Sequence, residues 1–191
     1  LDVLPFLESE DGALRETALS IAAGRHEWDA ALANAFFSWH ESIDETRRAI
    51  LGRLVPVFAT SPPMLDYLTS LVVSEDDAHR QLALELIANS PGIPFRDEWI
   101  PAFESALAAG DTAALAALRT AKSDRFAKAM EAICLDAGRD ANLRLDAASV
   151  LSGPGRTPLP AAFDLAEEVL KGSATDLRGK AIALLALSTL T

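Results

Sequence analysis

The chain has 191 residues, half of them hydrophobic and only 6% aromatic, and its richness in Ala and Leu favours closely packed helices over a sheet. Its formal net charge of −11 repels phosphate backbones, so no nucleic-acid binding is expected, and the single cysteine, Cys134, excludes an internal disulfide and a thiolate metal cluster. No apolar run reaches the ~18 residues that span a bilayer, so no membrane insertion is expected.

In chain order, apolar spacing near the helical period predicts helices over residues 2–8, 11–24, 27–39, 42–58, 61–74, 76–90, 96–109, 111–121, 123–137, 140–152, 158–172 and 175–190. Strand alternation is absent. Ser61-Pro62 and Thr157-Pro158 each place a polar cap before a proline at the first helical position, and Ser42 with Glu45 and Ser74 with Asp77 have capping-box spacing. Breakers stand at Gly24, Ser90-Pro91-Gly92, Gly110, Gly138 and Gly153-Pro154-Gly155. Pro56 falls inside the fourth helix and should kink or end it.

A repeat underlies these segments. LRETALSIAAG, HRQLALELIAN, LRLDAASVLSG and LRGKAIALLAL align on Arg15, Arg80, Arg144 and Arg178, each followed three residues later by alanine. The gaps between these arginines are 65, 64 and 34, so a weaker copy is expected within each of the first two. RRAILGRL, from Arg47, and TAALAAL, from Thr112, fill those places and give six repeats, each with room for two helices.

At about 100° per residue, the positions three, six and seven past the arginine fall at roughly 300°, 240° and 340°, so the arginine points along the apolar stripe. Four residues before it stand Asp11, Asp76 and Asp140. Neither charge should be half buried alone. The expectation is a half-buried Asp–Arg ladder between successive repeats, formed by Asp11, Arg15, Asp76, Arg80, Asp140, Arg144 and Arg178.

DGALRETA, DDAHRQLA and DANLRLDA share the opening D-x-x-x-R-x-x-A. Over the whole chain this pattern resembles the HEAT and HEAT-like repeats of α-solenoids, although the period is short and the Arg47 and Thr112 repeats lack the full motif. The resemblance implies an all-α, right-handed α-solenoid of about six helix pairs, forming one domain over residues 1–191. The opening at Leu1, without an initiator Met, leads to the expectation that this domain is a fragment of a longer protein. The order HEWDAAL, the double-arginine helix, SPPML and PFRDEWIPAFESAL looks like the helical-repeat region of large multidomain planctomycete proteins. Those also carry a propeller-like dehydrogenase domain and a c-type haem domain, which would imply an extracytoplasmic location. No CxxCH occurs, so any haem chemistry of such a parent lies outside this chain.

Catalytic signals are weak. His40 and Asp44 are four apart, but Ser42 between them is a candidate cap, so they are read as a solvated turn and not as metal ligands. His79 is read as packing at a repeat boundary, and His26 is not followed by an HExxH motif. The stripe Trp28, Leu32, Phe36 and Trp39 reads as core, with a binding groove as the alternative. Residues 152–157 are Gly-rich without GK[ST] and read as a connection, in register with residues 89–94 and projecting from the same rim. The pairs Asp76-Asp77 and Glu167-Glu168 read as solvated surface.

The expected function is a non-catalytic scaffold for proteins or for other domains of the parent chain, with no cofactor. Wheel positions facing away from the core nominate Glu16, Ser20, Gln81, Glu85 and Ser149 for contact. The alternative is an enzyme on a HEAT-like fold, such as an alkylpurine DNA glycosylase, against which the acidity argues. The last helix, AIALLALSTLT after Lys180, is apolar nearly all round, so a further repeat or self-association is expected to cover it.

Overall fold

A computed structural model describes residues 3–121, 125–152, 160–172 and 177–188. Among them are eleven α-helices and no strand. They are α1 Gly12–Ala23, α2 Asp29–Ser38, α3 Glu45–Phe58, α4 Pro62–Val72, α5 Asp77–Ala88, α6 Ile100–Ala109, α7 Thr112–Ala121, α8 Ala127–Leu135, α9 Ala141–Leu151, α10 Pro160–Lys171 and α11 Arg178–Ser188. Short 3₁₀ turns at Leu4–Glu8, His26–Trp28 and Asp97–Trp99 precede α1, α2 and α6. The first predicted helix is therefore only a 3₁₀ turn, because five residues are too few to repay α-helix nucleation. The proposed start at Thr157-Pro158, the breaker at 153–155 and the loop 152–157 beyond Ser152 lie outside the described residues.

Aspartates cap the helices that carry the arginines. Asp11 accepts from the amides of Ala13 and Leu14, Asp44 from Arg47, Asp76 from Ala78, and Asp140 from Asn142 and Leu143. Both predicted capping boxes are displaced by this. Asp44, not Ser42, caps α3, and Asp76, not Ser74, caps α5. A carboxylate meets the positive end of the helix dipole with a full charge, which a hydroxyl lacks. Ser61 does precede α4, but its side chain makes no cap bond. Pro63 removes one of the two amides such a cap would use, and the Ser61 hydroxyl is buried without a partner. α3 runs on past Pro56 to Phe58, so the proline does not end the helix where it stands. The carbonyl it leaves unbonded belongs to Gly52, which is exposed to water.

The chain divides into two compact units, Leu1–Ala102 and Phe103–Thr191, with the division inside α6. In the first unit α1 packs on α3 and α3 on α5, while α2 packs on α4 and α4 on α5. The core includes Leu32, Phe36, Ile50, Leu54, Tyr67, Leu68 and Trp99, all 0–1% exposed. Burial of each such side chain is worth ~1.5–3 kcal/mol. Leu32, Phe36 and Trp39 of the aromatic stripe are thus core, with Trp28 at its half-buried edge. Trp99 repeats the theme two helix pairs later, donating its indole N–H to Thr69 Oγ1 at 2.9 Å.

In the second unit α9 is central, packing against α7, α8, α10 and α11. Cys134, Leu145, Ala148, Leu165, Ala166, Val169, Ala181 and Leu184 form one buried cluster there. Ala at the 148, 166 and 181 positions lets these helices approach closely, as the composition suggests. α6 ends in a Schellman motif, in which the Gly110 amide bonds Leu107 O and the Asp111 amide bonds Ala106 O. Gly110 has φ 81°, and a Cβ there would stand 3.2 Å from Leu143 Cδ2 and 3.3 Å from Arg139.

Candidate functional site

Five arginines of the repeat pattern do one job. Arg15 donates to Ser9 O at 2.6 Å, Arg47 to Ser42 O at 2.7 Å, Arg80 to Ser74 O, Arg144 to Cys134 O at 3.1 Å and Arg178 to Gly172 O at 3.3 Å. Each target lies in the last turn of the preceding helix or in the turn just after it. The guanidinium thereby leaves the N-terminus of its own helix, where the dipole disfavours a cation, and reaches the C-terminal side of its neighbour, where carbonyls lack amide donors. The expected ladder is corrected accordingly. Asp11, Asp76 and Asp140 are exposed and cap their own helices, and the arginines' carbonyl bonds fall inside a helix pair, with Arg47 also reaching Glu8 in the pair before. Arg15, Arg80 and Arg144 are half-buried as expected, whereas Arg178 is exposed. Among the described residues two of these arginines add a carboxylate, Arg80 from the exposed Asp77 and Arg47 from Glu8 at 2.6 Å.

The Thr112 repeat has no arginine at this place. Arg139, from the turn between α8 and α9, supplies the function there, donating to Ala108 O at 3.2 Å and, more weakly, to Leu107 O at 3.5 Å.

Bridges between successive arginine-bearing helices do exist, but they use other residues. Glu16 on α1 accepts from Arg53 on α3 at 2.7 Å, which holds the Glu16 carboxyl below its usual range. Arg48 on α3 faces Glu85 on α5 at 3.8 Å. In the second unit Asp146 on α9 accepts from Lys180 on α11 at 2.8 Å and faces Arg119 on α7 at 3.9 Å, while Lys180 also donates to Asn142. The Asp146 side chain is only 14% exposed, the most enclosed carboxylate of these pairs.

The five nominated contact residues therefore differ. Glu16 and Glu85 are occupied in ion pairs, and the Ser149 hydroxyl donates to Leu145 O at 2.8 Å. Ser20 is exposed and Gln81 is half-buried on the same layer of the first unit. On α11, Ala181 and Leu184 are buried and Ile182 is 58% exposed; the side chains of Leu187 and Leu190 lie outside the described residues.

The turn carrying His40 is exposed at Glu41, Ser42 and Asp44, as expected of a solvated turn, but His40 itself is half-buried. His40 and His79 face each other with ring centres 4.3 Å apart, because α2 packs beside α4, whose following turn leads into α5. His79 Nδ1 lies 3.2 Å from Ser74 Oγ and 3.9 Å from the Asp76 carboxylate, while His40 Nδ1 is buried without a hydrogen-bond partner. A cleft of about 900 Å³ opens here, lined by Asp44, Arg47, Arg48, Asp76, His79 and Leu82 among others. No cluster of three or more His, Cys, Asp or Glu side chains gathers as a closed metal cage among the described residues. Cys134 is buried, and that burial pushes its thiol up, with the nearby Arg144 opposing.

Charge is unevenly distributed. Residues 1–102 hold 17 acids and 7 bases, whereas residues 103–191 hold 11 and 10, so nearly all of the net charge belongs to the first unit. Among the described residues no helix is long and apolar enough to cross a membrane. Comparison of the chain with protein-family models, with curated proteins and with solved structures finds no match.

Proposed function

We propose that this chain is a HEAT-like, right-handed α-solenoid of six helix pairs that serves as a non-catalytic scaffold for a protein partner. One observation carries the reading: the aspartate cap and the arginine that returns to the preceding helix recur on α1, α3, α5 and α9. Repetition of one supersecondary unit, stacked on its neighbours through side-chain bridges, is the physical basis of solenoid folds. The side-by-side packing of α1, α3 and α5, and of α7, α9 and α11, supports it as well.

The partner surface is basic. Glu8, Glu10 and Asp11, then Glu41, Asp44 and Glu45, then Glu75, Asp76 and Asp77 mark the starts of three helices packed in succession, and all nine are exposed. Such a surface steers a cationic partner and repels nucleic acid. The partner contacts the layer made by the arginine-bearing helices, where Ser20 and Gln81 lie outside the ion pairs.

The experiment is capture of partners on the 191-residue chain, then titration of each purified partner against wild type and a Ser20→Arg/Gln81→Arg variant. A tenfold or greater loss of affinity, at an unchanged melting midpoint, supports the assignment. Equal affinities would place binding off this layer. Release of modified bases from alkylated DNA would replace the scaffold with the glycosylase alternative.

A further inference from the structure

His40 and His79 are thirty-nine residues apart in the chain and belong to different elements, the α2–α3 turn and the first turn of α5. We propose that together they form an open site for a nitrogen-preferring divalent ion of the Zn²⁺, Ni²⁺ or Cu²⁺ class, with water completing the coordination.

Three features point the same way. The first is spacing. Two imidazoles bound to one ion at ~2.0–2.1 Å place their ring centres roughly 4.5 Å apart when the ligands stand at right angles, as in tetragonal Cu²⁺ or octahedral Ni²⁺ sites, and roughly 5.2 Å apart at the tetrahedral angle of Zn²⁺. Here they are 4.3 Å apart, nearer the first. The second is an orphan nitrogen. His40 Nδ1 is buried and lacks a hydrogen-bond partner, where buried polar atoms normally have one. In the tautomer with the proton on Nε2, this Nδ1 carries a lone pair held out of water, a ready ligand. The third is an outer shell. In the tautomer whose Nδ1–H donates to Ser74 Oγ, 3.2 Å away with the Asp76 carboxylate at 3.9 Å, the lone pair of His79 lies on Nε2. Metal-binding histidines are ordinarily oriented in this way by a partner on the other ring nitrogen.

Entry and charge also fit. His79 lines the cleft while His40 stands behind it, so an ion arriving from water meets His79 first, and Asp44 and Asp76 on the same lining offset an added positive charge. Two cations share that lining. Arg47 is held by Glu8 at 2.6 Å and by Ser42 O, and Arg48 faces Glu85, so both are engaged with oxygen partners. A site with two imidazoles selects borderline metals over Mg²⁺ and Ca²⁺, which require sets of oxygen ligands.

The test titrates the full 191-residue chain with NiCl₂ by calorimetry and with CuSO₄ by electron paramagnetic resonance. Wild type and His26→Ala are expected to bind one equivalent of Ni²⁺, and His40→Ala or His79→Ala to weaken that binding at least tenfold. The Cu²⁺ spectrum of wild type should show splitting from two imidazole nitrogens, a readout that does not depend on any variant folding. Absence of one-equivalent binding, survival of it in a His40→Gln/His79→Gln variant, or a spectrum with fewer than two nitrogens would each overturn the site.

Discussion

Arg80 carries its charge on the first turn of α5, where the helix dipole opposes it, and relieves that conflict by reaching Ser74 O beyond the end of α4. A buried carboxylate partner would have put the cost of Arg80→Ala at ~1.5–3 kcal/mol. Its actual carboxylate, Asp77, is 94% exposed at the side chain, so the loss is about 1–2 kcal/mol, chiefly from the uncapped carbonyl and the lost stem packing. Urea unfolding measures this directly, and an unmoved midpoint would reduce Arg80 to a surface charge. Tyr67 presents the opposite case. Its ring is fully buried against Phe36 and Phe37, but its hydroxyl has no hydrogen-bond partner, and burial pushes its ionisation well above the ordinary tyrosine value. Leaving a buried hydroxyl unsatisfied costs ~1–3 kcal/mol, so Tyr67→Phe should raise the unfolding free energy by about 1 kcal/mol. A clear loss of stability in that variant would mean that the hydroxyl holds a bound water.

Helix ends, more than helix middles, distinguish this chain. α1, α3, α5 and α9 each begin on an aspartate and bear, within the first turn or just past it, the arginine that closes the helix before. Both halves of that device are local, so the D-x-x-x-R spacing was readable along the chain. The destination of the guanidinium was not, because its reach covers both its own cap and the preceding turn. α6 is the exception that explains Arg139. Its C-terminus depends on Gly110 in the left-handed region and on an arginine more than thirty residues downstream. Gly110→Ala places a Cβ against Leu143 and Arg139 in a conformation costing ~1–2 kcal/mol by itself. The expected loss is about 2–3 kcal/mol in thermal unfolding. A change below a few tenths would show that this helix end tolerates rearrangement.

Taken as a whole, the molecule is helical and acidic, and its acidity is concentrated in residues 1–102. Duplex and single-stranded DNA should give no measurable binding at physiological salt, because a surface of this sign provides no counterion release on the phosphate backbone. A salt-sensitive, micromolar affinity in a fluorescence titration would favour the glycosylase alternative over the scaffold.

Helix positions and the repeat spacing were legible because each depends on residues within one or two turns of one another, where 3.6-residue periodicity acts without help. The caps were not, since capping-box spacing points to Ser42 and Ser74 although Asp44 and Asp76 hold them. Nor were the pairs that tie one helix to the next. Glu16 with Arg53, Asp146 with Lys180, and His40 with His79 are each more than thirty residues apart, and an acidic chain with many candidate partners does not declare which ones packing will bring together. Nor could it reveal that His40 would be half buried beside His79, since that follows from α2 lying against α4 and not from the composition of the turn. Local free energies select the helices; the close approach of their apolar faces selects which charges and which imidazoles meet.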